Sequence, residues 1–92
     1  MMYAKKIKME TGNYYSNNIQ EIDKIYVDGC SNPGYFEKES LYDYLKKNPG
    51  SIRVFISPFP EIVPALSSRG EKYVRSEPND SIFDNLLRLP RE

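Results

Sequence analysis

The chain has 92 residues, of which 39% are hydrophobic and 28% are charged, with 13 basic and 13 acidic side chains. A chain of this length forms one domain with a modest core, so residues 1–92 are predicted to be a single domain. Eight tyrosines and four phenylalanines supply a packed interior, which excludes global disorder. The balanced charge argues against nucleic acid or a membrane as partner, and any nucleic-acid site would have to be local.

Cysteine and histidine, which carry much of enzyme chemistry, are nearly missing. Cys30 is the only cysteine, which excludes an internal disulfide and fits a reducing compartment, so a cytoplasmic protein is predicted. No apolar run has the length of a signal peptide core or a membrane span. Histidine is absent, which removes the commonest general base and a common metal ligand. The expectation is therefore a protein that is not an enzyme, with no catalytic residue, no metal and no cofactor.

The first third of the chain has the pattern of a β-hairpin. Residues 3–10 alternate between apolar and charged side chains, and residues 19–28 again have strand character. The intervening 11–18 are rich in glycine, asparagine and serine, a turn-forming composition. The apolar positions of the second strand change parity once, which predicts a bulge near Asp23 or Lys24.

The rest of the chain alternates turn residues with short periodic segments. The predicted elements are a loop at 29–34, a helix at 36–47, a strand at 51–57, a second hairpin from 62–67 and 71–76, and a tail with a short helix at 77–92. The fold class is α+β. We expect a small antiparallel sheet of about five strands, one central helix and a short C-terminal helical tail.

The segment 71–90 concentrates polar groups that are costly to bury without partners. On a strand, Tyr73 and Arg75 share one face, where an aromatic ring and a planar guanidinium suit a nucleotide-like anion. Nearby hydroxyl and amide groups would add directional hydrogen bonds. The predicted ligand-binding residues are Tyr73, Arg75, Ser76, Asn79 and Asn85.

A structural interpretation of the same residues is open. Arg75 would pair with Asp80 or Asp84, while Asn79 and Asn85 satisfy backbone groups and fasten the tail to the sheet. The two aspartates, four residues apart, would also share a helix face, where they could hold a hard cation, act as acid and base, or simply favour a helix N-terminus.

The same segment carries a family resemblance. Its motifs resemble the closing signature of an uncharacterised family of short bacterial and phage proteins, catalogued as a domain of unknown function. The motifs are Lys72-Tyr73-Val74-Arg75-Ser76, Pro78-Asn79-Asp80, Asp84-Asn85-Leu86-Leu87 and Leu89-Pro90. The resemblance implies no activity and no catalytic residue. Its phage setting suggests a small interfering or ligand-sequestering role.

The function predicted from these observations is a non-enzymatic module that binds a small phosphorylated or nucleotide-like molecule. The alternative is a protein-interaction or inhibitor module that uses an edge strand containing Pro64, an exposed Phe55 or Phe59, and the leucine-rich tail. A small domain with partly apolar edges also gains from self-association, so a homo-oligomer is expected.

Overall fold

The computed structural model describes residues 2–77 and 84–92. Six strands and one α-helix follow one another along the chain. They are β1 (Met2–Met9), β2 (Ile22–Asp28), β3 (Gly34–Glu37), α1 (Lys38–Lys47), β4 (Ile52–Val54), β5 (Ile62–Leu66) and β6 (Lys72–Ser76). Short 3-10 turns occupy Ile19–Glu21 and Asn85–Arg88. The protein is thus a mixed α+β fold, as its sequence predicts.

The strands form two sheets, which differ from the single antiparallel sheet of about five strands that we expected. Four strands lie in the order β3-β2-β1-β4, and β5 pairs with β6 alone. β1 runs antiparallel to β2 but parallel to β4, because α1 separates β4 from the first hairpin and returns the chain to the same end of the sheet. The strand that we did not expect is β3, where Phe36 pairs with Ile25. It includes Gly34 of the predicted loop and Phe36 and Glu37 of the predicted helix, so the helix begins two residues later than predicted, at Lys38.

The first hairpin confirms the predicted bulge. Lys8 pairs with Lys24 and Met9 pairs with Ile22, so Asp23 is the extra residue on β2. This insertion places both Ile22 and Ile25 in the core despite their odd spacing. A second bulge at Lys5 in β1 shifts the buried positions.

The core lies between the four-stranded sheet, α1 and the second hairpin. α1 packs against β5 and β6 on one side and against β2 and β3 on the other. Its buried residues are Leu41, Tyr42 and Leu45, whereas Tyr44 is 41% exposed. The fully buried aliphatic side chains include Ile7, Ile25, Leu45, Ile52, Ile62 and Leu86.

The predicted C-terminal helix is a single 3-10 turn in the described residues. Asn85–Arg88 form this turn, and Leu89 returns to extended backbone before Pro90, which leaves too few residues for an α-helix. Leu86, Leu87 and Leu89 are nevertheless buried, so this part of the tail belongs to the core.

Arg91 clamps the tail to the first hairpin. One guanidinium nitrogen donates to the carbonyl oxygens of Tyr14 and Ser16 at 2.7 and 2.8 Å, and the other donates to the carbonyl of Leu87 at 3.1 Å. The backbone N–H of Ile7 donates to Pro90 at 2.9 Å, which adds the chain end to the edge of β1. Planar donor geometry suits this use of arginine, because one side chain reaches three acceptors.

Candidate functional site

β6 separates the residues predicted to form a ligand site. Tyr73 and Arg75 are half-buried on one face of the strand, whereas Val74 and Ser76 are buried on the other. Strand side chains alternate between faces, so Ser76 cannot share a pocket on the Arg75 face. The structure brings Ser76 and Asn85 together and leaves Tyr73 and Arg75 apart from them. Asn79 lies outside the described residues.

A polar network joins the end of β6 to the tail. The backbone N–H of Ser76 donates to both carboxylate oxygens of Asp84, at 3.2 and 3.0 Å. The same carboxylate caps the 3-10 turn by accepting from the Leu86 N–H at 2.9 Å, and the Asn85 N–H donates to the Ser76 hydroxyl at 3.3 Å. These contacts satisfy buried backbone donors, the structural use that the sequence left open for this segment.

The ion pair predicted between Arg75 and Asp84 is not formed in the structure. No nitrogen of Arg75 lies within 4.0 Å of the Asp84 carboxylate, which is engaged by backbone donors instead. Asp80, the other predicted partner, lies outside the described residues. Asn85 accepts from Arg88 at 3.3 Å, and its buried side-chain nitrogen has no hydrogen-bond partner among residues 2–77 and 84–92.

A separate cleft of about 420 Å³ opens between α1, β3 and the loop that follows β2. Its base is the inner face of the four-stranded sheet, and its wall is one side of α1. Gly29, with a φ of 89°, starts the loop that forms the rim. The lining residues are Met2, Val27, Cys30, Ser31, Asn32, Phe36, Ser40, Leu41, Tyr44 and Ile52.

The cleft combines an apolar base with a few polar groups at the rim. Ser31, Asn32 and Ser40 offer hydroxyl and amide groups, and the partly exposed Tyr44 adds an aromatic ring with a phenolic hydroxyl. No charged side chain occurs among the described lining residues. The Cys30 sulfur lies 3.9 Å from the Val27 carbonyl oxygen, a weak contact. This chemistry suits an uncharged, partly apolar molecule.

Sequence reasoning missed the cleft because its walls come from distant parts of the chain. None of the five predicted ligand-binding residues lines it. The available signal was the helix spacing of Ser40, Leu41 and Tyr44, which places them on one side of α1.

The shifted pKa values in the described part of the chain belong to groups outside the cleft. The Lys5 ammonium, 2.9 Å away, and the Gly29 backbone N–H lower the pKa of Asp28. Burial, together with the nearby Glu92 carboxylate, raises the pKa of Tyr35 to about 12. The Tyr35 hydroxyl is buried and has no hydrogen bond of ordinary geometry to any described residue, so we attribute the shift mainly to desolvation.

A family model described as protein of unknown function (DUF3892) matches residues 4–90. The chain belongs to this family. No curated protein and no solved structure gives a significant match. The DUF3892 match spans all of the cleft lining except Met2, together with the network that joins Ser76 to Asp84.

Two further properties bear on the chemistry of this DUF3892 protein. Among the residues that the structure describes, no three acidic, cysteine or histidine side chains converge where they could hold a metal ion. None of the helices in that part of the chain has the length and apolar character needed to span a bilayer.

Proposed function

We propose that the protein is a non-enzymatic module that binds a small, uncharged, ring-bearing organic molecule in the cleft beside α1. The observation that carries the proposal is the cleft itself, an apolar cavity of about 420 Å³ with a few polar groups at its rim. Pockets of roughly 300 to 1,000 Å³ with this composition hold drug-sized ligands.

The lining refines the ligand class that the sequence predicted. A nucleotide-like ligand has a planar ring and a phosphate. Phe36 and Tyr44 suit the ring, and Asn32 and the serines suit its polar edge. A phosphate lacks a cationic partner there, and burying it without one is costly. We therefore place a free base or a nucleoside ahead of its phosphorylated form.

The sequestering role that the family resemblance suggests for a bacterial or phage protein fits this proposal, because sequestration needs binding and no chemistry. Self-association stays a prediction, which light scattering at several protein concentrations tests. The cytoplasmic prediction rests on the single cysteine alone.

Ligand-induced thermal stabilisation tests the proposal. A panel of nucleobases, nucleosides and nucleoside phosphates is added to the protein, and Tm is measured. A ligand at ten times its Kd adds about 1.4 kcal/mol, which raises Tm by roughly 5–10 °C for a domain of this size. We expect uncharged members to give larger shifts than their phosphates.

Two tryptophan variants of α1 make the test specific. Ser40→Trp places an indole in the mouth of the cleft, whereas Glu39→Trp places the same side chain on the exposed neighbouring position outside the lining. The Tm shift should disappear in Ser40→Trp and persist in Glu39→Trp. Equal shifts in both variants, or no shift across the panel, would show that the cleft is not the ligand site.

The protein-interaction alternative is favoured by a different feature, the open edge of the four-stranded sheet. β3 is an edge strand in that sheet, and an extended peptide could pair with its backbone. The leucines of the tail do not serve this alternative, because they are buried in the core. A proline in β3 tests this alternative. Phe36→Pro would disturb the core, so Tyr35→Pro is the better variant. Loss of binding to a captured protein partner, with the ligand-induced Tm shifts retained, would favour this alternative.

A further inference from the structure

The outer face of the four-stranded sheet, opposite α1, carries two aromatic pairs. Tyr3 and Phe55 meet edge to face with ring centroids 5.3 Å apart, and Tyr26 and Tyr35 do the same at 5.4 Å. Tyr3 lies opposite Asp28 in the antiparallel register, so Tyr26 is its diagonal neighbour, roughly 7–8 Å away. The two pairs therefore lie side by side on one open surface.

Two rings of this aromatic surface are exposed to solvent. Phe55 is 50% exposed and Phe59 is 39% exposed, although both are large apolar residues. Phe59 has a φ of 60°, a left-handed conformation that is rare for a bulky side chain. Its ring lies 6.1 Å from Tyr3 and 5.9 Å from Phe55. The surface thus offers several exposed rings in a small area.

The same strands are locally basic, although the chain as a whole carries no net charge. The residues of β1 to β4 include five cations and three carboxylates, a net charge of +2. The cations are Lys5, Lys6, Lys8, Lys24 and Arg53, and the carboxylates are Asp23, Asp28 and Glu37. Glu61 and Glu92, which pair with Arg53 and Lys6, balance this charge of +2, so the positive charge without an ion pair among the described residues is that of Lys8 and Lys24.

Lys8 and Lys24 are the two lysines of this face that most clearly indicate an anionic ligand. They are direct cross-strand partners, and like charges in that position destabilise a sheet. Neither ammonium has a carboxylate within 4.0 Å among the described residues. Lys24 also lies opposite Glu37 on β3, which offsets part of the repulsion, and an anion between the two lysines would relieve the rest.

The other cations of the face are held by exchangeable partners. Ion pairs of 2.9 to 3.3 Å engage Lys5, Lys6 and Arg53. In each pair both side chains are more than a third exposed. Exposed pairs of this kind contribute little to stability, so phosphates can replace the carboxylates at small cost. The Lys5 ammonium also lies 4.9 Å from the centre of the Phe55 ring, which places charge beside a stacking surface.

We propose that this outer face binds single-stranded nucleic acid, with bases stacked on the exposed rings of Phe55 and Phe59 and the half-buried ring of Tyr3, and phosphates on Lys8 and Lys24. Stacking platforms flanked by lysines are the usual means of binding single strands without sequence preference, and an open sheet face is one way to present them. The face lies on the opposite side of the sheet from the cleft, so binding here does not depend on the proposed small-molecule function.

Fluorescence anisotropy with labelled oligo-dT and oligo-U of about ten nucleotides tests the proposal. Kd is measured at several salt concentrations between about 50 and about 200 mM. Lys8→Ala with Lys24→Ala should weaken binding about tenfold or more at low salt and reduce the slope of log Kd against log salt by about 1.4, which corresponds to two lost phosphate contacts. Its Tm should change little, because removal of the Lys8–Lys24 repulsion offsets loss of the charge opposite Glu37.

Matched controls separate this face from general charge. Lys47→Ala with Arg69→Ala removes two exposed cations elsewhere and should change affinity less than about threefold, through long-range electrostatics alone. Phe55→Ala should weaken binding about fivefold or more by loss of stacking. Tyr15→Ala, which removes a ring that is 88% exposed outside the sheet, should not.

Three results would overturn the proposal. The first is that the wild-type protein binds neither oligonucleotide at the lowest salt concentration. The second is an equal loss of affinity in the two double variants, which would show that binding follows only total charge. The third is competition by a duplex or a mononucleotide that equals competition by the single-stranded oligonucleotide at equal phosphate concentration, which would show that the face does not recognise a single strand.

Discussion

Among the polar side chains of the tail, Asp84 should be one whose replacement by alanine lowers the free energy of unfolding most. The carboxylate accepts hydrogen bonds from two backbone N–H groups, those of Ser76 and Leu86. It thereby joins the end of β6 to the 3-10 turn that carries Leu86 into the core. Alanine removes both acceptors and leaves the backbone in place.

The expected loss follows from the two orphaned donors. Ser76 is only 2% exposed, so water reaches its N–H poorly, and an unsatisfied buried donor costs about 1–3 kcal/mol. Loss of an N-cap residue costs a further 0.5–2 kcal/mol, typically about 1. We therefore expect Asp84→Ala to lower the free energy of unfolding by about 2–4 kcal/mol and Tm by roughly 10–25 °C. Asp84→Asn keeps one acceptor oxygen and should lose about half as much.

Urea denaturation followed by far-UV circular dichroism measures this difference. Asp43→Ala is the control, because its carboxylate pairs with Lys72 at 2.8 Å but is 60% exposed, and exposed pairs contribute at most about 1 kcal/mol. If Asp84→Ala loses less than the control, the carboxylate does not fasten the tail. The polar groups of the segment 71–90 would then be available for a ligand, as the sequence first suggested.

Three further substitutions test other parts of the fold. Arg91→Ala should lower the free energy of unfolding by about 1–3 kcal/mol in urea denaturation, because three backbone carbonyls lose a charged donor; Arg91→Lys should recover only part of it. Tyr35 keeps its proton in the folded chain up to about pH 12, whereas it ionises near pH 10 when unfolded, so stability should fall as pH rises through this window. The fall should be steeper in wild type than in Tyr35→Phe, and equal slopes would contradict it. Gly50→Ala should cost about 1–2 kcal/mol because its φ is 77°, whereas Gly34→Ala, at an ordinary φ with open space around it, should be neutral or slightly stabilising by thermal denaturation.

Local patterns predicted the local parts of this fold. The parity change between Ile22 and Ile25 was enough to place the bulge at Asp23, because one inserted residue reverses every following side chain. The second hairpin, β5 with β6, followed from a short glycine-containing connection between two strand-like segments. Both features depend on residues close together in sequence.

Non-local contacts account for what could not be predicted. The parallel pairing of β1 with β4 joins residues about fifty positions apart, and the cleft draws its lining from Met2 as well as from α1. Period-two alternation, however, already places Ser76 on the face opposite Arg75. The sequence alone could therefore have shown that Ser76 and Arg75 do not share one ligand site.

The two faces of the four-stranded sheet make the two binding proposals independently testable. The inner face is covered by α1, and the cleft near Ser40 leaves space for a ligand. No helix among residues 2–77 and 84–92 covers the outer face, which presents aromatic rings with Lys8 and Lys24. A substitution at Ser40 cannot reach the outer face, because the sheet and its packed aliphatic side chains lie between them. Loss of nucleic-acid binding in Ser40→Trp would therefore indicate a change in the whole fold. Loss confined to the lysine variants would instead locate the bound single-stranded nucleic acid on the outer face.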